Sequence, residues 1–239
     1  MIHRPFYKLS LMIVLTLFLC VNLYAGVPYK VDFSSASGDV EKWFKKIGWE
    51  FKEDMDDMQP RFENGSLIIE PDDDDLGVIA FQFPKGKGLK NIKKVRLEWG
   101  VNQYSNGANW EGPKSKKRNT REPISLMIFF GDDKVESGSS FVPNLPYYIA
   151  LFLGKKEKAG QVYYGNYWQK GGRYLCEPCD GSLDKTFITE VMLADKFKEL
   201  FKMDMPPVTG LTIEVDAQDT KKKNGRHSKA FIKKIELFN

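Results

Sequence analysis

Hydrophobic and polar positions alternate with a period of two along most of the chain. Val95, Leu97, Trp99 and Val101 fall on one face, with Lys94, Arg96 and Glu98 on the other. Leu211, Ile213 and Val215 alternate in the same way with Thr212, Glu214 and Asp216. A less clean alternation sets Phe231, Ile235 and Leu237 against Ile232, Lys234 and Glu236. Strands with one dry and one wet face belong to antiparallel sheets stacked as a sandwich. Residues 126–130 and 147–153 are apolar on both faces, which predicts central strands covered on both sides. Segments 30–33, 67–70, 78–83 and 161–164 add further strands, separated by Gly, Pro, Asn and Asp clusters suited to turns.

One segment has helical spacing instead. Over 190–203, Leu193, Phe197, Leu200 and Phe201 form a stripe among Asp195, Lys196, Lys198, Glu199 and Lys202. Thr189 is the expected N-cap, and Pro206-Pro207 the stop. The predicted fold is therefore mainly β: an antiparallel β-sandwich of jelly-roll or galactose-binding type, with one amphipathic helix near the C-terminus. No internal repeat or change of composition divides residues 26–239, which are read as one domain.

The N-terminus changes the compartment rather than the fold. His3, Arg4 and Lys8 precede an apolar run from residue 9 to about residue 21, and Ala25 stands where a signal peptidase cuts. Residues 1–25 are expected to be a secretory signal. Acylation at Cys20 is disfavoured by the bulky Leu19 before it. Removing Arg4 and Lys8 takes the formal charge from +4 to +2. That balance gives no electrostatic case for nucleic acid, and no other segment is long and apolar enough to span a bilayer. An exported protein without an integral membrane segment is the expectation. With 42% hydrophobic residues, a disordered chain is excluded; three cysteines and two histidines exclude a disulfide-dense scaffold and a multi-histidine metal centre.

Several stretches share the layout of one exported bacterial family. They are Trp99-Gly100-Val101, Gly131-Asp132-Asp133, the apolar 147–153 strand, the amphipathic helix, and Pro206-Pro207 followed by Gly210 and a strand ending at Asp216. Together they resemble the domain-of-unknown-function 3047 family. The resemblance spans most of residues 26–239 and departs in the 102–123 loop and at Cys176 to Cys179. It implies an exported β-sandwich and brings no chemistry with it.

Candidate chemistry is sparse. Cys176 and Cys179 lie between Gly171-Gly172 and Asp180-Gly181, which is turn chemistry; a structural disulfide is expected over a redox pair. Glu214, Asp216 and Asp219 approximate the Glu-x-Asp-x-x-Glu strand of laminarinase-like glycoside hydrolases. Alternate residues on one strand face could flank a glycosidic bond, but Asp219 replaces a longer Glu. The contrasting expectation is an exposed strand face running into a turn. Asp72 to Asp75 read as a solvated loop, and Asp32 with Asp216 or Asp219 as a structural calcium site by analogy with binding modules. The basic runs 85–94, 114–118 and 221–226 read as solvated turns that also suit anionic surface polymers. His227 lies in the last of them and makes a poor catalytic base without a buried setting.

The aromatics point further. Tyr104 and Trp110 stand in a polar loop rich in Asn, and Tyr167 and Trp168 stand among amides. Sugar rings stack on aromatics and hydrogen-bond to amides, so these four are the expected ligand contacts, with Tyr104 and Trp110 the more exposed. The leading reading is non-catalytic binding of a carbohydrate or cell-envelope polymer, with no obligatory cofactor beyond a structural calcium. The alternatives are a glycoside hydrolase using the strand carboxylates, and an envelope protein that docks another protein through the 190–203 helix.

Overall fold

The structure is a computed structural model and describes residues 26–239. The expected signal segment, with Cys20, lies outside the described residues. Strands β1 (Tyr29–Asp32), β3 (Arg61–Glu63), β4 (Ser66–Ile69), β6 (Lys94–Gln103), β11 (Phe187–Met192) and β13 (Lys229–Phe238) build one sheet. Strands β2 (Trp49–Glu53), β5 (Leu76–Gln82), β7 (Ser125–Val135), β8 (Leu145–Phe152), β9 (Val162–Tyr163), β10 (Gly172–Cys176) and β12 (Val208–Asp216) build the other, in the order β2-β5-β12-β7-β8-β10-β9. Two helices, α1 (Val40–Lys46) and α2 (Leu193–Phe201), complete the fold. This is the β-sandwich that the alternation predicted. All ladders are antiparallel except β8 with β10, which run parallel from Tyr148–Gly172 to Phe152–Cys176.

The dry faces meet as the period of two requires. Val95, Leu97, Trp99 and Val101 of β6 are buried with Leu126, Ile128 and Phe130 of β7 and Leu211, Ile213 and Val215 of β12, all in one core. Each such side chain contributes about 1.5–3 kcal/mol by leaving water. The imperfect alternation of β13 has a local cause. Its register against β6 shifts between Ile232 and Lys234, so an extra residue moves the core positions from Ile232 to Ile235. The Gly131-Asp132-Asp133 segment lies within a second register shift, between β7 and β8, with Gly131 at φ +73°.

The helix prediction needs correction at both ends. Residues 187–192 form an edge strand paired with β6 from Phe187–Trp99 to Met192–Lys94. Thr189 is no cap; its hydroxyl accepts from Trp99 Nε1 at 2.9 Å and donates to Glu177 O at 2.9 Å. The helix starts at Leu193 and ends with Lys202 in the left-handed region, before the prolines. Leu193 and Phe197 are buried, and Phe197 packs on Phe130, so the stripe covers the sandwich end and its central residues are not free for a partner. Helix α1 was not anticipated, although Asp39 caps it by accepting from Lys42 N at 2.8 Å.

The expectation of a wet outer face on β12 is overturned. Thr212 and Asp216 are buried and Glu214 is half-buried. Beside them, by register, stand Ser125 and Met127 of β7, then Phe152, Ala150 and Tyr148 of β8, then Cys176, Tyr174 and Gly172 of β10. This outer face carries a second apolar cluster because the loop 104–123 folds over it and inserts Trp110.

Candidate functional site

The covering loop is fixed to the sheet by polar contacts. The Glu157 carboxylate accepts from Trp110 N at 3.0 Å, Lys155 N at 2.7 Å and Lys156 N at 2.9 Å, tying two loops together. Arg121 Nη1 meets Asp216 Oδ2 at 2.8 Å, while its Nε donates to Gln218 O at 3.1 Å. Asn166 Nδ2 donates to Thr120 Oγ1 at 3.0 Å. Trp110 stacks on Phe152 with ring centroids 5.1 Å apart and lies 4.8 Å from Tyr174. At 6% exposure it is buried, against the expectation of an exposed loop tryptophan. An indole inserted between strand aromatics gains more by leaving water than a loop can offer it outside.

Between this loop, the 153–157 turn and Lys223 lies a cleft of about 500 Å³. Tyr104, Ser105, Trp110, Arg121, Glu122 and Phe152 line it. Four of these carry buried polar atoms that no described residue satisfies well. Ser105 Oγ, Trp110 Nε1 and Glu122 Oε2 lack partners, and Tyr104 Oη approaches the Gly181 backbone without a well-formed bond. Burial also pushes the Tyr104 phenol up to about 12, so it presents a neutral hydroxyl.

The acids cluster at the cleft's inner wall. Glu122, 2% exposed, lies close to the Glu214 carboxyl across the loop–sheet boundary. Burial raises Glu122 strongly, and the charges of Glu214 and Asp216 raise it further. Burial likewise raises Glu214. Two carboxyls this close in a dry setting hold a proton between them. Burial pushes Asp216 up to about 7, with Arg121 pulling the other way. Tyr148 Oη lies 3.4 Å from Tyr174 Oη beside this group, and burial raises both phenols.

The sequence-derived candidates disperse. Glu214 and Asp216 share the outer face, but Asp219 sits in the following turn, 3.9 Å from Arg121 and exposed. Asp32 is in the other sheet, paired with Lys30 at 2.9 Å, so the calcium arrangement of Asp32 with Asp216 or Asp219 does not assemble. Among the described residues no three His, Cys, Asp or Glu side chains gather as metal donors. Tyr104 and Trp110 line the cleft, whereas Tyr167 and Trp168 lie outside it. Trp168 Nε1 donates to Pro143 O at 2.8 Å, and Tyr167 is exposed beside it. Cys176 and Cys179 are joined by a disulfide. His227 is buried, contrary to expectation, with Nδ1 2.7 Å from Thr220 Oγ1, and burial lowers its pKa. Among the described residues no helix is long and apolar enough to cross a membrane.

Ser105, Arg121 and Glu122 were missed by sequence reasoning. They sit in a polar loop without periodicity, and only the burial of the β12 outer face reveals them. Neither a scan of family models nor a search of curated proteins found a match to this chain. Among solved structures, the chain is similar to the carbohydrate recognition domain of Emp47p, at 16% identity over 88% of this chain and 95% of that one, with a TM-score of 0.44. It is also similar to the xyloglucanase domain of NopAA, a type three effector from Sinorhizobium fredii, at 10% identity over 81% and 95%, with a TM-score of 0.43. A third similarity is to the carbohydrate-binding module CBM29-2, at 11% identity over 87% and 90%, with a TM-score of 0.34.

Proposed function

We propose that the protein binds carbohydrate, without cleaving it, in the cleft beneath the 104–123 loop. The observation that carries this reading is the set of buried polar atoms lacking good partners, Ser105 Oγ, Trp110 Nε1, Glu122 Oε2 and Tyr104 Oη, on one cleft. Each such atom costs about 1–3 kcal/mol in the free protein. A ligand carrying many hydroxyls would satisfy them.

Hydrolysis fits the acids less well. Retaining enzymes hold their carboxyl groups about 5–5.5 Å apart and inverting ones about 6.5–9.5 Å. Glu122 and Glu214 instead sit together in one dry group where burial raises both, and Asp216 is taken up by Arg121.

The test is calorimetry on the wild type, Ser105→Ala and Tyr104→Phe, using glycans selected from an array. Both substitutions delete an ill-satisfied buried hydroxyl. Their melting temperatures are expected to hold or rise while affinity falls about tenfold, the worth of one hydrogen bond. Unchanged affinity in both variants would sink the reading.

A further inference from the structure

The charge around the cleft is lopsided. Lys116, Arg118, Arg121, Lys155, Lys156 and Lys223 line it, against two acids, Glu122 and Glu157. Neither acid offsets the lysines. Glu157 is spent on three backbone N–H groups, and burial beside Glu214 raises Glu122 well above the usual carboxylate range. Lys116, Lys155, Lys156 and Lys223 are exposed and enter no ion pair among the described residues, whereas nearby Lys158 and Lys222 pair with Glu111 and Asp73. Arg118 donates to Gly107 O at 3.1 Å, and only Arg121 has a carboxylate partner.

The six-stranded sheet does not share this excess. On the six-stranded sheet, Lys30, Lys94, Arg96 and Lys234 are matched by Asp32, Glu190, Glu98 and Glu236. At the cleft, three separate segments of the chain bring cations together and leave all but Arg121 without a carboxylate partner. Like charges gathered at one concavity repel one another and focus a positive potential on whatever enters it.

We propose that the cleft takes an anionic polysaccharide, one bearing carboxylate or sulfate groups on its sugar rings. This rests on the carbohydrate reading above and narrows it. The mouth lysines meet the acid groups, while Ser105, Tyr104 and Trp110 meet ring hydroxyls deeper in. Arg121 stands at the inner wall, already oriented by Asp216.

The test is calorimetry of the full chain against matched pairs at low and high salt. The pairs are polygalacturonate with its carboxyl-reduced form, and a sulfated galactan with the same galactan desulfated. Polyglutamate serves as an anionic polymer without sugar. The acidic member of at least one pair is expected to bind about tenfold tighter than its neutral partner, and to lose that advantage at high salt. The double variant Lys155→Gln, Lys156→Gln is expected to lose about tenfold for the acidic member. Equal affinity for acidic and neutral members overturns the proposal and leaves the carbohydrate reading standing. Polyglutamate binding as tightly as the polysaccharides overturns both, as does the absence of binding to every polymer.

Discussion

Trp110 illustrates how a residue can be recognised from the sequence and misplaced by it. Its polar neighbours suggested a loop aromatic open to ligand, yet its ring is spent on Phe152 and Tyr174, and only the unpartnered Nε1 edge is left to the cleft. Truncating Trp110 to Ala is therefore expected to cost about 3–5 kcal/mol of stability, read by urea denaturation, so it cannot isolate a binding effect. Glu122 makes the opposite case, a decisive residue with no signature in its local pattern. Its carboxyl is raised in the fold above its unfolded value, so the folded state binds protons that the unfolded state has released. Stability from this group is present below about pH 4 and is lost as pH rises through its folded pKa. Glu122→Gln keeps the shape and removes that titration. Melting of wild type and variant from pH 5 to pH 8 is expected to show the wild type falling behind by a few degrees toward pH 8. His227, lowered by burial, works in the other direction, losing stability as pH falls, but it is present in both proteins and cancels from the difference. Parallel curves would show that Glu122 is ionised in the fold.

Among the elements, β6 and β12 were legible from their alternation, and β7 and β8 from apolar runs on both faces. Those that escaped, β2, β3, β10 and β11, are short or alternate with neighbours that mask them. In β11, Phe187, Thr189 and Val191 are buried and Ile188, Glu190 and Met192 exposed, a clear period of two once the helix is not extended into it. Pairing with β6 decided the matter, since six partnered residues outweigh the weak helical preference of a Thr-Glu-Val segment. Strand β10 has its own constraint at the floor of the apolar cluster. A Cβ on Gly172 would come within 2.4 Å of the Tyr148 ring and hydroxyl. Gly172→Ala is expected to displace Tyr148 and cost about 1–3 kcal/mol, with a change in near-ultraviolet circular dichroism as the tyrosines move. An unchanged spectrum with unchanged stability would mean that the ring has room the structure does not show.

For the whole molecule, the joint between the 104–123 loop and the seven-stranded sheet creates the site. Arg121 and Asp216 bind that joint, both largely out of water. Removing one member of a buried pair strands the other, so Arg121→Gln is expected to cost about 3–5 kcal/mol in chemical denaturation. The double variant Arg121→Gln, Asp216→Asn is expected to recover much of that loss, because no charge is left unpaired. If the double variant is as unstable as the single one, the pair is not what closes the loop. The same joint keeps Glu122 and Glu214 dry, so opening it would return both toward ordinary carboxyl behaviour.

Period-two patterning by itself determined that this chain folds as stacked sheets, and it picked out the residues that face the shared core. Alternation reports each residue's neighbours along its own strand, and burial between two sheets follows from that alone. The tertiary structure decided what happens on the far face of β12. Thr212, Glu214 and Asp216 read as a wet face because polar side chains on alternate positions normally meet water. Here a loop distant in sequence covers them, and it does so through contacts that no local pattern encodes: the Trp110 ring in an aromatic slot, Arg121 on Asp216, and Glu122 on Glu214. The strand carboxylates lost their solvent, and the cleft acquired its polar wall, by that single long-range closure.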